Sequence, residues 1–234
     1  AVDLVATDGM YLIEQGHMGT LLAQVDKLPP RAVADDPRLL LSRVWADAAL
    51  QRFSEARAAL TAIPAACDRS TLPSSDLDAL LVETRVAEAA LLMNTDQVRG
   101  IAELVEPVLA EPQDVRPWVV GSASVFASYA DLLSFEFDRA RRRQEWARPY
   151  HERTRGQFAS IYGLCLCGIA ANEQLDVAGA EDYFRRALRA ARNSGGIHTH
   201  AGRLSAAMLG EMMYEQGRIS EAEALLDESK LLGI

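Results

Sequence analysis

The side chains able to ligate a metal, or to act as nucleophile or base, are four histidines, three cysteines and a scatter of carboxylates. The histidines are His17, His151, His198 and His200. His198 and His200 flank Thr199, whereas a helical zinc pair needs i, i+4 spacing and further ligands. The histidines are therefore expected to be structural. Cys165 and Cys167 are two apart, and on a helix such residues point about 200° away from each other, so they neither bridge nor chelate together. With Cys67 they make an odd number, and no basic start followed by an apolar core and cleavage site marks a secretion signal. Reduced thiols used for core packing are the expectation. Pairs such as Glu221 and Glu223 lie among alanine and leucine, as on an exposed helix face. No G-x-x-x-x-G-K-[ST] loop is present to cradle phosphate, and no G-x-S-x-G elbow to raise a nucleophile. The glycines of GGIHTHAG lack the preceding strand that a nucleotide fold needs. The chain is expected not to be an enzyme and to hold no metal or cofactor.

A formal net charge of -9 over 234 residues argues against direct contact with nucleic acid, which needs clustered Lys and Arg. The one basic cluster, Arg139, Arg141, Arg142 and Arg143, reads as a solvated helix face answering Asp138 and Glu145. No apolar run reaches eighteen residues, so no membrane span is expected, and the cytoplasm is the expected location. Hydrophobic residues make up 49%, mostly alanine and leucine with few β-branched residues, which favours helix.

Those helices recur. In SAAMLGEMMYEQGRISEAEALLDESK (205–230), Gly210 and Ala222 are small residues where two short amphipathic helices must touch, and Gly217 punctuates the first. Such a hairpin cannot bury its own apolar face and needs copies beside it. LCLCGIAANEQLDVAGAEDYFRRAL carries Gly168 and Ala180 in the same places. SYADLLSFEFDRARRRQEWA carries Ser128 and Ala140, and VWADAALQRFSEARAALTAI carries Phe53 and Ala56. AEAALLMNTDQVRGIAELVEPVL is a weaker copy with Gly100. GMYLIEQGHMGTLLAQVDKLP keeps Gly9 and Gly16 but has Leu21 at the small position. The key positions 21, 56, 100, 140, 180 and 222 differ by 35, 44, 40, 40 and 42. That period, filled by helical pairs, predicts an all-α fold: an α-solenoid superhelix of about six hairpins, one repeat domain over residues 1–234.

Twelve helices are expected, at 3–15, 18–28, 39–50, 53–63, 76–93, 96–110, 117–134, 137–148, 153–173, 177–193, 198–214 and 219–232. Residues 31–36 read as a connector and 64–75 as the longest loop, because of its two prolines and polar residues. Pro37 is placed at a helix start with Asp36 as its N-cap. Pro107 is expected to kink its helix. Ala1-Val2-Asp3 already sits in a helical pattern with no initiator methionine, as expected of a piece of a longer protein, with a processed terminus as the alternative.

The pattern L-G-x-x-M-Y-x-x-G-x-x-x-x-A of residues 209–222 resembles a tetratricopeptide repeat. The longer period is similar to the MalT-like sensor region of large ATP-binding LuxR-type transcription activators. Leu28-Pro29, Pro37-Arg38-Leu39 and Trp45-Ala46 resemble that family's join, where a short pair ending in "LP" meets an "x-P-R-L" segment and a "W-A" helix. The resemblance implies a sensor segment between an ATPase module and a separate DNA-binding helix-turn-helix. It further implies that inducer binding shifts a resting monomer to an ATP-bound oligomer, with self-association.

In such an array the first helix of each pair lines the inner face. The repeat alignment nominates Trp45, Arg85, Tyr129, Tyr162, Asn172, Glu211 and Tyr214 as ligand-binding residues, with Val125, Leu132, Cys165 and Ile169 beside them. Aromatics with a few polar groups suit a sugar, a ring-containing small molecule or a peptide. Two functions follow: an effector-sensing segment of a transcription regulator, or a scaffold gripping a peptide or protein partner. The exposed end at 231–234 is expected to meet a neighbour or fray.

Overall fold

Helical hairpins need a way to turn, and here the same turn is used each time. The backbone takes positive φ at Gly16 (80°), Gln51 (59°), Asp96 (55°), Phe135 (61°), Leu175 (62°) and Gly217 (73°). At each, the residue's own N–H bonds the carbonyl three residues back, and the next N–H bonds the carbonyl five residues before it. Leu175 to Asn172 (2.9 Å) and Asp176 to Ala171 (2.9 Å) are one such pair, and Gly217 to Tyr214 with Arg218 to Met213 another. This left-handed cap satisfies carbonyls that a helix end would leave bare.

The computed structural model describes residues 2–193 and 200–229. Among them lie thirteen helices and no strand. They are α1 (Val2–Glu14), α2 (Met18–Val25), α3 (Pro30–Asp35), α4 (Pro37–Ala49), α5 (Phe53–Arg69), α6 (Ser74–Asn94) and α7 (Ile101–Ala110). After these come α8 (Pro117–Leu133), α9 (Phe137–His151), α10 (Phe158–Glu173), α11 (Val177–Asn193), α12 (His200–Glu215) and α13 (Ile219–Ser229). The hairpins are α1–α2, α4–α5, α6–α7, α8–α9, α10–α11 and α12–α13, stacked through the inner helices α4, α6, α8, α10 and α12, each against the next. The architecture is the all-α repeat solenoid. His198 and residues 230–234 lie outside the described residues.

The turns fix the register. Five positions after each left-handed residue stand Leu21, Ala56, Ile101, Ala140, Ala180 and Ala222, all fully buried against the preceding helix. In the third pair this position is Ile101, not Gly100. Gly100 instead begins α7 with φ 95°. Where the crossing is closest, no side chain fits: a Cβ on Gly168 would press the Phe184 ring, and one on Gly210 would lie 2.9 Å from Leu226 Cγ.

Two local expectations differ. Residues 30–35 form α3, because Pro30 supplies the helix-ready φ of a first position. Helix α5 runs through Pro64 to Arg69, so the expected long loop shrinks to residues 70–73. Pro64, Pro107 and Pro149 each lie inside an outer helix on its exposed face, where water takes up the carbonyl freed by the missing N–H. The Asp36 cap before Pro37 forms as expected, its Oδ1 accepting from Arg38 N at 2.9 Å.

Curvature brings the start of the array onto its fifth pair. The Arg155 N–H donates to Glu14 Oε2 at 3.0 Å, and the Arg155 guanidinium lies 6.0 Å from the Tyr11 ring centre. A Cβ on Gly156 would fall on the Glu14 carbonyl. One continuous apolar core runs from Ala6 to Ala170 through the first five pairs. A second cluster, with Phe184, Leu209, Met213 and Ala222, attaches the sixth.

Candidate functional site

The inner helices run parallel, so their N-terminal ends share one edge of the array. There α1, α4, α6, the 70–73 turn and the start of α8 surround an open cavity of about 560 Å³. Its floor is apolar: Met10, Leu41, Leu80 and Val119. Its rim carries Arg38, Asp76, Asp78, Asp114 and Arg116, and Glu83 stands at its base.

Glu83 is buried, and a buried carboxylate needs partners. It has two: the indole N–H of Trp45 donates to Oε1 at 3.2 Å, and Arg116 pairs with Oε2. Arg38 is also committed, with Nη2 at 2.7 Å from Asp36 Oδ2 and 3.2 Å from Asp3 Oδ1. The hydrogen bond to Asp36 holds its guanidinium above the usual range. On the rim, Asp76 meets only the Ser75 hydroxyl, at 3.5 Å, while Asp78 and Asp114 have no side-chain partner among the described residues. The rim therefore offers unpaired negative charge over a greasy floor. That combination receives a ligand with an apolar body and a cationic group.

Deeper between the inner helices the space is filled. Phe126, Trp45, Trp118, Phe158, Tyr162 and His200 form a file of rings with successive centroids 6.1, 6.0, 6.4, 5.1 and 6.0 Å apart. A second, smaller pocket, bordered by Trp45, Asn94, Trp118, Ser122 and Tyr162, has a volume of about 50 Å³. That holds a few waters but not a sugar. The Trp118 indole N–H is buried with no partner among the described residues. Burial pushes the Tyr162 hydroxyl up, and it hydrogen-bonds to His200 Nδ1.

The seven nominated residues do not converge. Trp45 and Tyr162 border the smaller pocket together, and Trp45 reaches the larger one through Glu83. Tyr129 is half-buried, its hydroxyl donating to Asp96 Oδ1 at 3.2 Å. Asn172 is half-buried, and Glu211 and Tyr214 are exposed on the last pairs. Arg85 is exposed; the inner position its spacing aims at is taken by buried Val86, one residue on, because the third pair's register shifts by one. Of their companions, Val125, Leu132 and Cys165 are core residues.

Sequence reasoning missed Glu83, Arg116 and Asp114. One signal was present: Arg38 and Glu83 each stand thirteen positions before a left-handed turn residue, Gln51 and Asp96, so both face the same level of the array. The basic cluster also differs from its expected pairing. Arg139 and Arg143 hold buried Asp131 at 2.8 and 2.6 Å, and Arg143 also reaches Glu106 at 2.5 Å. Among the described residues, no group of three or more His, Cys, Asp or Glu is placed to hold a metal ion, and no helix is long and apolar enough to cross a membrane.

No family model matches the chain, and no solved structure matches it. Among curated proteins it is similar to those named serine/threonine-protein kinase PknK, from Mycobacterium tuberculosis and Mycobacterium bovis, with 38% identity over 233 residues. The match takes in 100% of this chain and 21% of theirs, so the chain spans about a fifth of the length of these relatives.

Proposed function

We infer that this chain is a non-catalytic sensing segment of a larger cytoplasmic regulator, and that its effector binds in the open cavity at the N-terminal edge of the inner helices. The observation that carries the reading is the cavity itself: about 560 Å³, apolar below, with unpaired carboxylates above. Its size is that of a small-molecule site. Helix α1 and three inner helices, α4, α6 and α8, meet around it, so an occupant that prefers one curvature of the array biases the superhelix toward it. The likeness to one-fifth of much larger proteins with kinase in their name supports a role as one part of a multidomain protein. The finer form of the reading is the LuxR-type arrangement suggested by the repeat pattern, with an ATPase before the segment and a DNA-binding module after it. The full-length gene product separates the two: a kinase domain in it favours the organisation of the relatives, a P-loop with a helix-turn-helix the other.

Thermal-shift measurements with cationic amphiphiles, neutral sugars and acidic aromatics test the cavity. Cationic amphiphiles should raise Tm, and Asp76→Asn with Asp114→Asn should remove the effect while leaving the ligand-free Tm in place. Equal response in the double variant, or no response to any cation, overturns the assignment. A peptide gripped along the same edge is the second reading, favoured by the cavity's being open to solvent along a wall built from several helices.

A further inference from the structure

The opposite edge of the array, where the inner helices end, carries a feature that folding does not account for. Of the six left-handed turn residues, two are glycine, and Gln51 and Asp96 are polar. The other two are Phe135 and Leu175, large side chains in a conformation that their Cβ atoms disfavour. Neither is compensated by burial: Phe135 is 79% exposed and Leu175 85%. Leu133, Val177 and Ile219, at the same edge, are exposed as well. The turns are held side by side. Gln174 Nε2 donates to Asp138 Oδ1 at 3.0 Å and its Oε1 accepts from Arg141 at 3.2 Å, joining the fourth turn to the fifth. Arg218 joins the sixth pair to Glu181 at 3.0 Å. The Phe135 and Phe137 rings stand edge-on, 6.1 Å apart. A fixed apolar ridge thus lies in water, and strained, exposed apolar residues on a rigid frame mark an interaction surface.

Charge selects the occupant. The basic groups nearest the ridge are taken: Arg139 by Asp131, Arg141 by Gln174 and the Tyr183 ring, Arg218 by Glu181 and Glu221; Arg142, further along α9, and Arg99, on the third turn, have no partner among the described residues. The carboxylates of Glu136, Glu173 and Glu215 have no partner among the described residues. We propose that this ridge docks a basic amphipathic helix of another protein, its apolar stripe on Phe135 and Leu175 and its Lys or Arg side chains against Glu136, Glu173 and Glu215. This surface is separate from the effector cavity, which lies at the opposite edge of the array, on α1, α4, α6 and the start of α8.

The test is fluorescence anisotropy with a labelled eighteen-residue helical peptide of leucine and lysine, titrated with the whole chain. Companion peptides replace lysine by glutamate, or scramble the order. The chain should bind the leucine–lysine helix and neither companion. Phe135→Gly combined with Leu175→Gly should weaken binding at least tenfold while Tm holds or rises, so lost binding cannot be blamed on lost folding. Glu136→Gln, Glu173→Gln and Glu215→Gln together should flatten its salt dependence. Binding that survives the glycine pair, equal binding of the acidic peptide, or a ridge that instead joins two copies of this chain in sedimentation overturns the proposal.

Discussion

Arg155 donates its backbone N–H to the carboxylate of Glu14 at 3.0 Å across 141 positions of sequence. That bond, with Gly156 seated against the Glu14 carbonyl, ties the first helix to the start of the fifth pair. Gly156→Ala forces the two backbones apart and should cost about 1–3 kcal/mol. Gly19, in α2, has nothing within 4 Å of a Cβ. Gly19→Ala should be neutral or stabilise by up to about 1 kcal/mol. Urea melts of the two variants check this; equal stability would show that the contact does not hold the array closed.

Phe135 and Leu175 hold left-handed turns at φ 61° and 62°. An L side chain there costs on the order of 1 kcal/mol against glycine, less what glycine adds to the freedom of the unfolded chain. Phe135→Gly and Leu175→Gly should each stabilise by a few tenths to about 1 kcal/mol in chemical denaturation. Leu133→Gly, inside the last turn of α8, should instead destabilise by about 1 kcal/mol. A loss in all three would mean that the exposed ring and isobutyl group contribute to folding after all.

His151 is held by burial at a pKa of about 4, against its ordinary 6.5. Its Nδ1 has no partner among the described residues, and its Nε2 lies 3.3 Å from Gln144 Oε1. The unfolded chain therefore takes up the proton first. Its contribution to stability is full above pH 6.5 and falls as pH drops toward 4, by on the order of 3 kcal/mol. His151→Phe should lack this part of the slope, whatever its absolute stability. Parallel slopes for the two proteins between pH 7 and 4 would contradict the assignment.

Cys165 and Cys167 lie in the core of α10, where burial pushes both thiols up to about 12, while Cys67 on α5 is half-buried. A colorimetric disulfide reagent at neutral pH should titrate Cys67 first. The other two thiols should react only as fast as the fifth pair opens. Three thiols reacting together would mean that this pair is loosely packed.

The fold was legible in the sequence where the packing residue is small. Ala56, Ala140, Ala180 and Ala222 mark their own crossings, and the glycines at 168 and 210 mark the facing helix. The third pair slipped by one because Gly100, a helix-start glycine, stands next to Ile101, the residue that packs. Pro64 misled because proline's rule against helix interiors applies with less force on a solvated outer face. The closure through Glu14 and Gly156 had no local signature, since it depends on curvature accumulated over several hairpins. The site was legible in part for the same reason. Trp45 follows from register alone, whereas Glu83 and Arg116 meet only because α8 begins beside the middle of the longer α6.

The indole N–H spectrum of 15N-labelled protein tests the central claim most directly, because its three tryptophans report three places. Trp45 is bonded to Glu83 beneath the open cavity, Trp118 is buried in the aromatic file, and Trp146 is exposed on α9. A cationic amphiphile that raises Tm should move the Trp45 signal in saturable fashion and leave Trp146 still. Movement of Trp146 with Trp45 unchanged would place the ligand elsewhere and contradict a sensing cavity at this edge.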